Sequence, residues 1–236
     1  MRTLKVKRFI QDRAFCAVAA CASVVNFYDD SWDYENVKKK AIEFFPSLKA
    51  GEGLYTPETG RLLNVLGMRK VTIVSTDLNF LDYTWALYGK RKMLSCFKES
   101  VKKNKGYRSI AKSYIRFLED NHFDNHLVID YNFADRIRKA IDSDKPVMAS
   151  FNWTMFFKFG KINEKGDQDP YKGDYEDHMI VIKGYTKNSV SIVDSHNDYY
   201  KYKRKSYRSG EYKIPWEIFM TILGTGDLLI AEDYGN

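Results

Sequence analysis

An α+β fold, a helical N-terminal half packed on a C-terminal antiparallel β-sheet, is predicted by three observations. Residues 15–28, FCAVAACASVVNFY, are almost all small or apolar and read as a buried helix. The next segment, Trp32 to Phe45, repeats apolar residues at Val37, Ala41, Phe44 and Phe45 with the helical period. Late in the chain, HMIVIKGY and SVSIVDS flank a short turn between His178 and Ser195, the pattern of an antiparallel hairpin.

The remaining elements follow from local signals. Ser31 is the expected cap of the second helix and Pro46 its stop. Gly51-Glu52-Gly53 reads as a loop. Thr56-Pro57-Glu58 then opens a third helix, with Thr as cap and Pro at its first position, ending near Leu66 and Gly67. Val71 to Val74 is a short strand. Residues from about 77 to 125 form a basic segment with helical spacing at Ile110, Tyr114, Phe117 and Leu118, read as a helical insert in a single domain spanning residues 1–236. Phe133 to Ile141 is a helix ended by Asp142-Ser143-Asp144. Pro146 to Phe151 is a strand whose leading proline needs no ladder partner. Lys161 to Asp177 is a polar loop, Ile214 to Glu217 starts a last helix, and Asp227 to Ala231 closes with a strand. There is no internal repeat and no low-complexity segment.

Composition bounds the function. The chain has 236 residues, 44% hydrophobic and 15% aromatic, enough for one sizeable core and too apolar for long disorder. The net charge of +7 comes from lysines spread among acids and aromatics. That pattern predicts a solvated surface, not a dedicated nucleic-acid site. No apolar run reaches signal-peptide or membrane length, so a cytoplasmic protein without membrane insertion is expected. Cys16, Cys21 and Cys96 make an odd set without metal-ligand spacing, which points to neither a disulfide framework nor a zinc site.

The chemistry centres on Cys16, at the expected start of the first helix. A thiolate is the reactive form of cysteine, and the unpaired N–H groups and positive dipole end of a helix N-terminus favour it. The small residues behind it, Ala17, Ala19, Ala20 and Ala22, let the helix run close to a sheet. Gln11, one turn ahead, can donate to an oxyanion together with the Cys16 N–H. Among the four histidines, His122 and His126 lie in the insert and are expected at the surface, whereas His178 opens a strand after a polar loop, where its ring can face a cleft. The hairpin register then chooses a partner for His178. If Thr186-Lys187-Asn188 is the loop, Asp194 opposes Ile180 and lies on the face of His178, one diagonal step of about 7–8 Å away. With a loop one residue shorter, Asn197 opposes His178 and Asp194 faces the other way. Both orienters stay open at this point.

Gln11, Cys16 leading a small-residue helix, the strand opened by His178 and the strand ended by Asp194 together resemble the papain-like cysteine peptidases. The pattern is most similar to the bacteriocin-processing, double-glycine leader peptidases and their stand-alone relatives. Gly53-Leu54-Tyr55-Thr56-Pro57 resembles that family's entry to its second helix, Asp144-Lys145-Pro146-Val147-Met148-Ala149 its "gly-lys-pro-val" strand, and Val181-Ile182-Lys183-Gly184-Tyr185 its "val-val-thr-gly-tyr" strand. The chain departs from the pattern at Ala17, where the family usually has Gly, and at Ser195, where it often has Pro. The resemblance implies a papain-like fold and a Cys16–His178–Asp194 triad with Gln11 at the oxyanion. It implies hydrolysis of a peptide or protein substrate through a thioester, without metal or organic cofactor. Deamidation, isopeptide or transglutaminase-like transfer use the same groups. An inactive binding module, with Tyr107, Tyr114 and Phe117 among basic residues as its docking face, is the rival from another class. The sequence sets neither the natural substrate nor the oligomeric state.

Overall fold

In the computed structural model, residues 2–12, 14–50, 52–77, 80–158, 160–163, 167–197, 209–224 and 226–235 are described. Gly51 of the expected loop, and small parts of the expected 77–125 and 161–177 segments, lie outside them. The helices are α1 (Cys16–Tyr28), α2 (Tyr34–Phe44), α3 (Thr56–Val65), α4 (Lys90–Lys103), α5 (Arg108–Glu119), α6 (Phe133–Asp142), α7 (Trp153–Phe157) and α8 (Trp216–Leu223). The strands are β1 (Arg2–Thr3), β2 (Met68–Ser75), β3 (Asp124–Ile129), β4 (Val147–Asn152), β5 (Asp177–Tyr185), β6 (Ser189–Val193), β7 (Glu211–Pro215) and β8 (Asp227–Tyr234). They form one sheet in the order β3-β2-β8-β4-β5-β6-β7, with β1 paired to β5.

This sheet corrects the expectation of a purely antiparallel, C-terminal layer. β2 comes from the N-terminal half and pairs in parallel with β3, Val71 opposite Asn125. A parallel pair needs a long crossover, and α4 and α5 supply it. The closing strand β8 is not at an edge but lies between β2 and β4. Its run Leu228-Leu229-Ile230-Ala231 is buried residue after residue, as a strand covered on both faces must be. Two short elements, β7 and α7, carried no clear sequence signal.

Caps also differ from expectation. The α2 cap is Asp33, not Ser31, because the Asp33 carboxylate accepts from the Asn36 N–H at 2.8 Å. At α3 the cap position is Tyr55, with the Glu58 carboxylate accepting its N–H at 3.0 Å, so Thr56 is already helical. Among the described residues no helix is long and apolar enough to cross a membrane.

α1 lies against β5 and α3, its small residues Ala17, Ala19, Ala20 and Ala22 all buried. α5 in turn packs on α3: a Cβ at Gly60 would stand 2.7 Å from the Phe117 ring, and the Ser113 hydroxyl donates to Glu58 at 3.1 Å. Tyr114 and Phe117 are therefore core residues, which removes them from the docking face that a binding-module reading requires. Phe117→Ala should cost about 3–5 kcal/mol, read as a lower urea midpoint. An unchanged midpoint would mean that α5 does not seal α3.

Candidate active site

Cys16 is the first residue of α1 and half-buried, with Phe15 at the cap position making no side-chain cap. The N–H groups of that first turn are thus available to an anion. Burial pushes the Cys16 thiol up. The His178 hydrogen bond and charge, then the N–H groups of Met179 and Ala17, outweigh it, and the thiol lies below its ordinary value. Cys21, one turn further on, is sealed in the core, and burial followed by the Cys16 charge pushes its thiol far up. Cys96 sits on α4, away from this cluster.

His178 sits at the start of β5, only 5% exposed, and its Nε2 bonds to Asp194 Oδ1 at 2.8 Å. That leaves Nδ1 as the ring nitrogen for the sulfur. The register explains how Asp194 comes to be the partner. At the turn, Thr186 N–H donates to Ser189 O at 2.8 Å and Tyr185 pairs with Val190, the geometry of the shorter loop. A β-bulge between Ile182 and Gly184 then shifts the pairing to Ile182–Ile192 and Val181–Val193. Continued one step, this register sets Asp194 opposite Ile180, on the face of His178. Asn197 is exposed.

The Asp194 carboxylate is fully buried, and both of its oxygens are bonded. Oδ1 also accepts the His196 N–H at 2.9 Å, and Oδ2 accepts the Tyr212 hydroxyl at 2.6 Å. Arg8 holds the segment from outside, donating to the carbonyls of Asp194 at 2.6 Å and His196 at 2.7 Å. Gly210, at φ +64°, accepts the Asp194 N–H, and any Cβ there would overlap the Arg8 guanidinium. Burial opposes a charge on His178, but the Asp194 charge and hydrogen bond, then the Cys16 sulfur, raise the ring to about 10. Both shifts favour a thiolate beside an imidazolium.

Gln11 lines the same cleft, a cavity of ≈ 400 Å³ bordered also by Cys16, Gly53, Trp153, Asp177 and His178. Its N–H donates to Ser195 O at 3.0 Å, and its Oε1 accepts the Ser195 hydroxyl at 2.7 Å. Ser195, the position where the resembled family often has Pro, thereby fixes the orientation of this amide. His122 and His126 are exposed, as expected, and His126 pairs with Asp124 at 2.6 Å. Sequence reasoning missed Tyr212, Arg8 and Ser195. Tyr212 and Arg8 reach the cluster from another strand and from the N-terminal segment, and Ser195, next to Asp194, gains its role only by meeting Gln11, so tertiary pairing alone reveals them. Trp153, whose ring lies 6.1 Å from His178 and 4.9 Å from His196, was also missed; its strand-to-helix position marked nothing special.

The family described as Peptidase_C39 like matches residues 3–221. The crystal structure of a candidate C39-like peptidase from Bacillus anthracis is similar with a TM-score of 0.50 and 15% identity, covering 100% of both chains. At that identity the likeness is one of fold, a mixed α/β arrangement around a large sheet. No curated protein matches.

Replacing Asp194 by Asn keeps the shape and removes the charge that raises His178. The ring pKa, followed by NMR, should fall by about 1–3 units. A ring that titrates unchanged would show that Asp194 is not its electrostatic partner.

Proposed function

The chain belongs to the Peptidase_C39-like family, and on that premise we propose that it is a cysteine peptidase that cleaves a peptide bond through Cys16, His178, Asp194 and Gln11. One observation carries the reading: the Cys16 sulfur and the His178 imidazole line one cleft, with the buried Asp194 carboxylate bonded behind the ring, the thiol pushed down and the imidazole pushed up.

The Cys16 thiolate attacks the scissile carbonyl carbon, whose π electrons move to oxygen. That oxyanion meets the Gln11 amide and the N–H groups at the start of α1, donors positioned before the reaction. Collapse expels the amine, which takes the proton from His178 Nδ1 and leaves a thioester on Cys16. His178, now neutral, accepts a proton from water as the water attacks the thioester. The acid departs, and the proton on the ring restores the ion pair. Asp194 holds the ring orientation and balances its charge throughout. It has no need to take a proton, because the Tyr212 hydroxyl and the His196 N–H stabilise it as a carboxylate. None of these steps requires a metal or an organic cofactor.

A mixture of defined peptides, incubated with the protein and analysed by mass spectrometry for new chain ends, tests the proposal. Cys16→Ala should abolish cleavage, and Gln11→Ala should lower kcat by about 10²–10³-fold. Ammonia release from glutamine-containing peptides with the chain intact would convert the reading to deamidation. Cleavage that survives in Cys16→Ala would end it.

A further inference from the structure

Next to the cleft lies a second cavity of ≈ 590 Å³, which the chemistry at Cys16 leaves unused. Gln11 and Ala14 border both spaces, so the two adjoin along the short segment that leads into α1. Ala14 is only two residues before Cys16, a reach of at most ~7 Å along the chain. A peptide held with its scissile carbonyl at Cys16 can therefore reach this cavity within a few residues of the bond.

Three elements build its walls. Phe15 comes from the residue just before Cys16. Lys38 and Ile42, four residues apart, share one face of α2. Leu48 and Lys49 come from the turn Pro46–Ala50 that follows α2. Leu48 is buried, whereas Phe15 and Ile42 are half-buried, packed on the core with part of their apolar surface left to the cavity. Walls of this kind, with a few polar groups at defined places, are those of a ligand site.

The charges in the cavity are unevenly answered. Asp12 is paired with Lys38 at 2.5 Å, and Lys38 also meets Glu35 at 3.5 Å. Lys49 is exposed, and among the described residues it forms no ion pair. Apolar walls thus stand beside one uncompensated ammonium. The sheet side of the cleft carries the opposite sign, with Glu176 and Asp177 lining it beside His178. An acidic group of a bound peptide is attracted towards Lys49 and repelled from Glu176. Apolar surroundings lower the local dielectric and strengthen such a pair relative to one in open water.

We propose that this second cavity is a substrate subsite that takes an acidic side chain of the peptide, its methylene stem against Phe15 and Ile42 and its carboxylate on Lys49. The subsite rests on the peptidase reading and names the substrate class for it: peptides with Asp or Glu within about four residues of the cleaved bond. The contrast in sign between the two sides of the cleft also fixes which way such a peptide lies.

Cleavage of a random synthetic peptide library by the full chain tests this. New chain ends are sequenced by mass spectrometry, and the frequency of Asp and Glu at each of the four residues on either side of the cut is divided by its frequency in the library. Acidic residues should be enriched about three- to fivefold at one position or more. Lys49→Glu should bring that enrichment to unity or below and raise Lys and Arg at the same position. Each enrichment is a ratio within one digest, so a general change in cleavage rate cancels. Should Lys49→Glu fail to fold, Lys49→Gln removes the charge and should bring the enrichment close to unity. Cleavage with no acidic preference at any position overturns the subsite and leaves the peptidase reading standing. A preference that survives in both variants overturns the role of Lys49 and its cavity. If no peptide of the library is cut, the peptidase reading itself falls, and the subsite with it.

Discussion

The hydrogen bond between His178 Nε2 and the buried Asp194 carboxylate is the constraint on which the rest of the site depends. A carboxylate with no exposure is tolerable only if it is both paired and saturated with donors. Here His178, the His196 N–H and the Tyr212 hydroxyl together supply three donors. Removing one partner from such a buried pair costs roughly 3–5 kcal/mol, so the scaffold holds the ring orientation firmly. Arg8 adds to this without touching the carboxylate. By binding the carbonyls of Asp194 and His196 it fixes the backbone on either side of Ser195, and Ser195 fixes Gln11.

The fold brings these groups together by a simple division of labour. α1, with its run of small residues, approaches β5 closely enough for its first residue to meet the first residues of that strand. The sulfur gains the ring of His178 and the N–H of Met179 from the sheet, and the N–H of Ala17 from its own helix. The first residues of helix and strand, Cys16 and Asp177, are more than 150 residues apart in sequence, yet the two elements are adjacent in space. The same end of the sheet carries Asp177 on β5 and Asp227 on β8, with β4 between them.

Much of this was legible in the sequence, for physical reasons particular to each part. α1 and the hairpin showed themselves because a helix buried on all sides and a hairpin with a short turn leave unmistakable apolar runs. The helix after Thr56-Pro57-Glu58 was legible from its punctuation, although the capping residue was Tyr55. The choice between Asp194 and Asn197 was not. The loop is the shorter one, which alone would have turned Asp194 away, and a bulge between Ile182 and Gly184 restores its face. A bulge leaves no mark on hydrophobic alternation. The parallel placement of β3, the central position of β8, and the contributions of Tyr212 and Arg8 depend on which strands become neighbours, and local pattern carries no record of that.

The central claim is that Cys16 rests as a thiolate beside a protonated His178. Thiolate ultraviolet absorbance, taken as the difference between the wild type and Cys16→Ser across pH and repeated in the His178→Ala background, measures this directly. The account predicts a thiolate that persists well below the free-thiol value of about 8.5 in the wild type and vanishes there when the imidazole is removed. A Cys16 that titrates at or above that value, or one indifferent to His178, would contradict it.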